Sequence, residues 1–289
     1  MNAAENGADL VRKILPPRVS ESHKGNYGTV LCLCGSTGYT GAAYLASSAA
    51  VRGGAGLVFL AVPESVYPIL AVKTVEAMAF PVACDESGRI TPESLPAVLG
   101  RLSGADVLVL GCGLGRSPGT EEAVHSLVAA SPVPVVLDAD GINAFENHID
   151  KLSGRNLVLT PHEGELARLG FRRTLGESRA SAALRCAEKF GAVVVFKGPG
   201  TAVAAPDGRL FVNSTGNPGM ARGGSGDLLA GLTGAFIAQG ADSFSAAAAA
   251  VYVHGLAGDL ALQKYGEVGM TPGDMLALIP EALRLCRGR

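Results

Sequence analysis

Residues 29–62 have the sequence TVLCLCGSTGYTGAAYLASSAAVRGGAGLVFLAV, in which two apolar runs flank a glycine-rich loop and a helical pattern. The runs at 29–35 and 57–62 are short and continuously apolar, as in buried strands. The segment at 42–54 carries small and apolar residues at helical spacing. A strand, a helix and a second strand in this order predict a parallel βαβ unit.

The same alternation continues along the chain. Further buried strands are predicted at 106–111, 133–140, 156–160 and 192–198, and helices at 120–130, 164–169 and 178–190. This pattern predicts an α/β fold, a three-layer α/β/α sandwich with a mainly parallel central sheet.

The pattern changes in the last third of the chain. Residues 201–213 (TAVAAPDGRLFVN) predict a hairpin around a PDG turn at a sheet edge. Two long helical segments follow, at 227–239 and 243–265. Because no linker or repeat interrupts the sequence, we expect a single domain over residues 1–289.

Composition excludes several classes of partner. Charged residues are 17% and the net charge is −2, so we expect no electrostatic attraction to nucleic acid or anionic membranes. The six cysteines lack metal-site spacing and the N-terminus is too polar for a secretory signal, which indicates a cytoplasmic protein. Apolar segments are expected to end before the roughly 18 residues that a membrane span requires.

Glycine-rich and polar clusters follow most of the predicted strands. Because ligands of parallel sheets bind beyond the carboxyl ends of strands, these clusters are the candidate site. They lie at residues 35–43, 111–115, 137–143, 160–165 and 197–201, and a sixth, GNPGMARGGSGDLLAG, lies at 216–231.

The sixth cluster places an acid beside an anion pocket. Backbone amides of Gly223, Gly224, Ser225 and Gly226 can converge at a helix start and bind a phosphoryl group. Asp227 would then accept the proton of a hydroxyl that attacks phosphorus. The alternative is that Asp227 is a helix-start acid that only interacts with the helix dipole.

Two other clusters have structural alternatives. In TPHEGE, Thr160 and Glu163 have capping-box spacing, with Pro161 at the first helical position and His162 pointing outward. In LDAD, Asp138 and Asp140 are either an acid pair for magnesium or a hydroxyl, or a helix cap. KGPGT (197–201) is either a solvated turn or a binding loop, and the sequence contains no P-loop or GxGxxG motif.

Taken in order, six segments resemble the ADP/ATP-dependent NAD(P)H-hydrate dehydratases of the ribokinase-like superfamily. They are GSTGYTGAAYLASSAAVRGGAGLV, VLGCGLGR, VVLDADGIN, LVLTPHEGE, VVFKGPGT and GNPGMARGGSGDLLAG. The resemblance covers about residues 20–280. Cys112 and Tyr39 depart from the proline and methionine of many relatives. We expect the dehydratase domain without the epimerase domain that many bacterial relatives carry.

The resemblance implies an activity. The family restores NADH and NADPH that have gained water across a nicotinamide double bond, by phosphorylating the new hydroxyl and eliminating phosphate. Bacterial members commonly use ADP rather than ATP, and Mg²⁺ is expected to bridge the phosphates, with its protein ligands left open. Family members tend to form homotetramers.

The resemblance also implies residue roles. Asp227 would be the catalytic base and the amides of 223–226 the phosphoryl pocket. Nucleotide-binding positions are Lys197, Gly198, Pro199, Gly200, Thr201 and Gly226. Positions that contact the hydrated cofactor are Ala42, Gly113, His162 and Asp227, although Gly115 aligns as well as Gly113.

Two other functions fit the same segments. A ribokinase-like kinase for a small alcohol, such as hydroxyethylthiazole kinase, would share the pocket and base but release a phosphorylated product. A non-catalytic nucleotide-binding regulator would not need Asp227. TPHEGE together with KGPGT favours the dehydratase.

Overall fold

One mixed sheet forms the centre of the computed structural model, which describes residues 6–152 and 154–288. In the described chain its strand order is β3-β2-β1-β4-β5-β6-β7-β8-β9. The strands are β1 Thr29–Leu33, β2 Leu57–Pro63, β3 Met78–Val82, β4 Val107–Leu110, β5 Val135–Leu137, β6 Leu157–Leu159, β7 Val193–Phe196, β8 Ala202–Ala204 and β9 Leu210–Val212. Strands β1 to β7 pair in parallel, and β8 and β9 are antiparallel. The predicted α/β fold and the edge hairpin are therefore confirmed.

Helices cover both faces of the sheet. They are α1 Gly7–Ile14, α2 Thr40–Arg52, α3 Tyr67–Lys73, α4 Leu95–Leu102, α5 Pro118–Ala130, α6 Asp140–Asn143, α7 Glu163–Arg168, α8 Arg179–Phe190, α9 Ser225–Ala238, α10 Ser243–Gly269 and α11 Pro272–Cys286. Apolar side chains of α2, α9, α10 and α11 form the core on one face, and those of α4, α5 and α8 form it on the other. This is the predicted three-layer arrangement.

Several elements were not predicted from sequence: β3 and helices α1, α3, α4, α6 and α11. Strand β3 contains Pro81 and is largely solvent-accessible, so it lacks the apolar pattern of the buried strands. Its edge position tolerates proline because one side of an edge strand needs no ladder hydrogen bond. Helix α11 has a capping box of Thr271 and Asp274, but Pro280 interrupts its interior pattern.

The prediction about apolar segment length is wrong for α10. By length and composition alone this one helix of the described chain could cross a bilayer, with a mean hydropathy of 1.3 in its most apolar window. Within the fold, 67% of that window is buried, and α10 packs on α9 and α11. Burial in the protein core accounts for its apolar composition.

The sheet topology creates a crevice between β1 and β4. Strand β1 lies between β2 and β4. The chain adds β2 and β3 on one side of β1, and then adds β4 and the later strands on the other side. The loops that follow these two strands contact each other. The amide of Gly35 donates to the carbonyl of Cys112 over 2.8 Å, and Ser36 Oγ donates to the carbonyl of Gly113 over 2.8 Å. Ligands of parallel sheets bind at such a crevice.

Candidate active site

A buried ion pair joins the loops that follow β5 and β7. Lys197 Nζ donates to Asp138 Oδ1 over 2.9 Å, and the Asp138 side chain is 2% exposed. Burial raises the pKa of Asp138, but the charge of Lys197 and the hydrogen bonds to this carboxylate outweigh burial, so the net pKa is lowered. Burial alone would lower the pKa of Lys197. The negative charges of Asp138 and Glu165 outweigh burial, so the net pKa of Lys197 is raised. Both groups are therefore charged at neutral pH.

The loop after β6 and the first turn of α7 supply two more partners to this pair. Thr160 Oγ1 donates to Asp138 Oδ1 over 2.6 Å. Glu165 Oε2 lies 3.7 Å from Lys197 Nζ and is almost fully buried. Burial raises the pKa of Glu165. Sequence reasoning missed this role of Glu165, although its place three residues after His162 was a capping signal.

The predicted helix cap at Thr160 is wrong. The cap of α7 is His162, whose Nδ1 accepts from the amides of Gly164 (2.9 Å) and Glu165 (3.3 Å). Glu165 Oε2 in turn accepts a hydrogen bond from the His162 amide over 2.7 Å. This completes a capping box two residues later than predicted. The Thr160 hydroxyl is instead directed at Asp138, because Thr160 directly follows a buried strand. The His162 side chain is 52% exposed and so remains accessible to a ligand.

Asp227 lies in the first turn of α9 and faces the same cluster. Its carboxylate is within 4.8 Å of ligand atoms of Cys112 and Asp138. Burial, and then the negative charge of Asp138, raise the pKa of Asp227 to about 6. Such a carboxylate is ionised at neutral pH yet is a much stronger base than an ordinary aspartate.

The start of α9 presents free backbone amides beside this carboxylate. Gly224 is the N-cap, with a φ of 104° that favours glycine. Within the described chain, the amides of Gly223, Gly224 and Gly226 have no hydrogen-bond acceptor. The Ser225 amide differs, because it donates to the Arg222 carbonyl over 3.3 Å. Three of the four predicted amides are therefore free, and their binding of a phosphoryl group stays a prediction.

Gly226 connects the amides to the ion pair. A methyl group at this position would lie 3.3 Å from Lys197 Nζ and 3.7 Å from Asp138 Oδ2. Glycine therefore allows the helix start to approach both charges. The structure brings Gly226 and Asp227 of the sixth cluster together with Lys197 of the KGPGT cluster.

The loop at 197–201 extends outward from Lys197. Thr201 Oγ1 donates to the carbonyl of Gly198 over 2.8 Å and accepts from its amide over 3.2 Å. Arg179 donates to the carbonyl of Lys197 over 2.7 Å and to that of Pro199 over 3.3 Å. Gly198, Pro199 and Gly200 are exposed, so the loop is fixed in shape and open to solvent.

Ala42 and Gly113 lie against each other at the β1–β4 crevice. A methyl group on Gly113 would come within 2.8 Å of the Ala42 side chain and 2.9 Å of the Tyr39 side chain. Gly115 lies elsewhere, since its amide donates to Asp140 Oδ2 over 2.9 Å. Of the two alignments, the structure favours Gly113 as the neighbour of Ala42. Their contact with substrate stays a prediction.

Ala139 carries backbone strain between the two acids of LDAD. Its φ is 48° and its ψ is −114°, a conformation that residues with a side chain rarely adopt. Strain of this kind persists at functional sites because the surrounding structure determines the geometry. Here it lets Asp138 point to Lys197 while Asp140 binds the loop after β4.

Comparison with known proteins agrees with this geometry. A family model described as NAD(P)H-hydrate dehydratase matches residues 30–281. The chain belongs to the NAD(P)H-hydrate dehydratase family. An ADP-dependent (S)-NAD(P)H-hydrate dehydratase of Neisseria meningitidis is 34% identical over 96% of this chain and 90% of the relative.

Longer relatives of the family also match. A bifunctional NAD(P)H-hydrate repair enzyme of Moorella thermoacetica is 44% identical over 94% of this chain but only 52% of its own length. The chain thus spans about half the length of this relative.

Solved structures match over nearly the whole chain. The ADP/ATP-dependent NAD(P)H-hydrate dehydratase of Bacillus subtilis, co-crystallised with ATP/Mg²⁺, has a TM-score of 0.81 and 29% identity, and covers 99% of both chains. A ribokinase of Thermotoga maritima has a TM-score of 0.54 at 11% identity, with 91% of this chain and 100% of that chain covered. The second comparison shows the shared ribokinase-like fold alone.

Proposed function

We propose that the protein dehydrates hydrated NADH and NADPH in a reaction that consumes ADP or ATP. The observation that carries this proposal is the position of Asp227, a carboxylate of raised pKa beside free amides and a charged lysine. Family membership supports the substrate, and the nucleotide named for the relatives supports the phosphoryl donor.

The first step is phosphoryl transfer. The hydroxyl on the hydrated ring gives its proton to Asp227, and its oxygen forms a bond to the terminal phosphorus of the nucleotide. The bond from that phosphorus to the bridging oxygen breaks, so ADP leaves AMP. Amides of Gly223, Gly224 and Gly226 stabilise the charge on the transferred oxygens.

The second step is elimination. Phosphate is a far better leaving group than hydroxide, and the ring nitrogen lone pair helps to expel it as the carbon–oxygen bond breaks. Loss of a proton from the neighbouring ring carbon restores the double bond of the dihydropyridine. The net reaction is the removal of water at the expense of one phosphoanhydride bond.

Lys197 and the loop after it would hold the nucleotide. Two directions of the Lys197 ammonium are occupied by Asp138 and Glu165, and a third remains for a phosphate oxygen. Mg²⁺ binds through phosphate oxygens together with one or two carboxylates and water. Asp138 Oδ2 and Asp227 offer such oxygens, so the residues fit a magnesium–nucleotide complex, in which the ion would neutralise phosphate charge.

The test is to incubate the protein with hydrated NADH, ADP and Mg²⁺ and to follow dihydropyridine absorbance together with inorganic phosphate. We expect both to rise in equal amounts, and neither to rise without nucleotide. A kinase for a small alcohol would produce a stable phosphate ester with no gain in absorbance. A regulator would bind nucleotide without turnover.

We also propose that the protein is a cytoplasmic homo-oligomer, a tetramer by analogy with its family. Apolar side chains are exposed on and after α3, at Ile69 (55%), Val72 (86%) and Val75 (85%). Burial of such side chains against a second copy would be favourable. Sedimentation of the purified protein tests the assembly, and a monomer at micromolar concentration would exclude it.

A further inference from the structure

Three metal-binding side chains converge on one point of the active site. Cys112 follows β4, Asp138 follows β5 and Asp227 belongs to α9, and their ligand atoms all lie within 4.8 Å of one another. Cys112 and Asp138 are buried, whereas Asp227 is partly accessible. A cation could therefore enter from the side of Asp227.

The two oxygens of Asp138 have separate partners. Oδ1 accepts from Thr160 and Lys197. Oδ2 faces the Cys112 sulfur at 3.6 Å. The ion pair with Lys197 thus engages Oδ1 and leaves the lone pairs of Oδ2 available to a cation.

The distance between the ligand atoms of Cys112 and Asp138 suits zinc. With a Zn–S distance of about 2.3 Å and a Zn–O distance of about 2.0–2.2 Å, tetrahedral geometry places a sulfur and an oxygen ligand about 3.6 Å apart. This is the distance found between Cys112 Sγ and Asp138 Oδ2. The carboxylate of Asp227 would be the third ligand and water the fourth.

The donor atoms also select the class of ion. A thiolate favours Zn²⁺, Co²⁺ and similar ions, and is a poor ligand for Mg²⁺. Two carboxylates in one pocket repel each other when ionised, and one divalent cation removes this repulsion. As the ion binds, the Zn–S bond replaces the S–H bond and the thiol proton passes to water.

We propose that Cys112, Asp138 and Asp227 form a site for Zn²⁺ or a similar divalent cation, which shares its two carboxylates with the magnesium–nucleotide complex and adds the Cys112 thiolate. The bound ion occupies the lone pairs of Asp227. If the proposed dehydratase activity holds, on which this consequence rests, Zn²⁺ inhibits the enzyme by removing its base.

Binding is tested first, without substrate. Co²⁺ is titrated into the purified protein, and the sulfur-to-cobalt charge-transfer band in the near ultraviolet is followed, then displaced with Zn²⁺. We expect one equivalent of cobalt per chain and loss of the band in Cys112→Ser. The matched control is Cys84→Ser, which removes a half-buried thiol outside this cluster and should keep the band.

A second variant covers the case in which Cys112→Ser does not fold. Asp227→Asn keeps the thiol but removes one ligand, and it should weaken Zn²⁺ affinity at least about 10-fold in competition with a chromophoric chelator. A charge-transfer band that persists in Cys112→Ser, or disappears in Cys84→Ser, overturns the site. So does unchanged Zn²⁺ affinity in Asp227→Asn.

Inhibition is tested separately, with Mg²⁺ in excess. The Zn²⁺ concentration that halves turnover should be at least about 10-fold lower for the wild type than for Cys112→Ser. Each turnover is taken relative to that of the same protein without Zn²⁺. Equal sensitivity of the two proteins overturns the inhibitory role. Cobalt binding in a protein that shows no dehydratase activity supports the metal site and contradicts the proposed function instead.

Discussion

Asp227 combines two properties that separate a base from an ordinary helix-start acid. Its pKa is raised to about 6, and it lies beside amides that have no acceptor within the described chain. In Asp227→Asn, turnover on hydrated NADH should fall about 10²- to 10⁴-fold, because the amide cannot accept the proton. Asp274→Asn, at the start of α11, is the matched control, since Asp274 has only a capping partner. Retention of more than a tenth of turnover in Asp227→Asn would show that Asp227 is not the base.

The same carboxylate predicts the pH profile of the wild type. A base acts only when ionised, so kcat/KM should fall tenfold per pH unit below about pH 6. A profile that stays level down to pH 4.5 would contradict this assignment.

The raised pKa of Asp227 also predicts how the stability of the folded state changes with pH. Its folded pKa of about 6 exceeds the ordinary aspartate value near 3.9, so the folded state loses stability as the pH rises from about 4 to 6. The loss is about 3 kcal/mol and is fully present at pH 8. Asp227→Asn should therefore raise the free energy of unfolding at pH 8, whereas loss of a simple helix-dipole contact would lower it by about 0.3–1 kcal/mol. Urea unfolding at pH 8 gives the sign.

Thr160 is a second residue whose role differs from the sequence-based expectation. Its hydroxyl donates to Asp138 rather than capping α7. Thr160→Val, which keeps the shape, should cost about 1.5–3 kcal/mol, as expected for a hydrogen bond to a buried charge. Thr271→Val removes a true cap, that of α11, and should cost about 1 kcal/mol. Equal losses in urea unfolding would mean that the Asp138 contact adds nothing.

At the scale of elements, the position of α9 depends on its close contact with α2. A methyl group at Gly231 would lie 1.9 Å from the carbonyl oxygen of Ala46. Gly231→Ala should therefore destabilise the protein by at least about 1–3 kcal/mol and lower turnover, because α9 carries Asp227. Gly100→Ala in α4 is the control, since nothing lies within 4 Å of the added methyl. It should stabilise by about 0.4–1 kcal/mol, and thermal unfolding compares the two variants.

Partial or interrupted burial accounts for three of the elements that sequence reasoning missed. Strand β3 and helix α3 lie toward one edge of the sheet and bury few of their side chains, so hydrophobic periodicity is weak in both. Helix α11 is buried along one face but contains Pro280. Periodicity detects elements that bury a regular face, and it fails where burial is partial or interrupted.

At the scale of the whole molecule, the Asp138–Lys197 pair joins strand ends that lie 59 residues apart in the chain. Lys197→Met leaves a buried carboxylate without its partner and should cost about 3–5 kcal/mol. The double variant Lys197→Met with Asp138→Asn should recover much of the loss. Additive losses in denaturant unfolding would show that the two charges are not coupled.

The α/β fold class, the run of parallel strands, the edge hairpin and the loops of the candidate site could all be predicted from the sequence. These features follow from apolar periodicity and glycine placement, which are local properties of the chain. Which side chains meet could be seen in the folded chain alone. The fold directed Thr160 and Lys197 to Asp138, and it placed Cys112 against Asp138 across 26 residues of chain. The order and register of strands β4 to β7 set these contacts, and neither is encoded within a single motif.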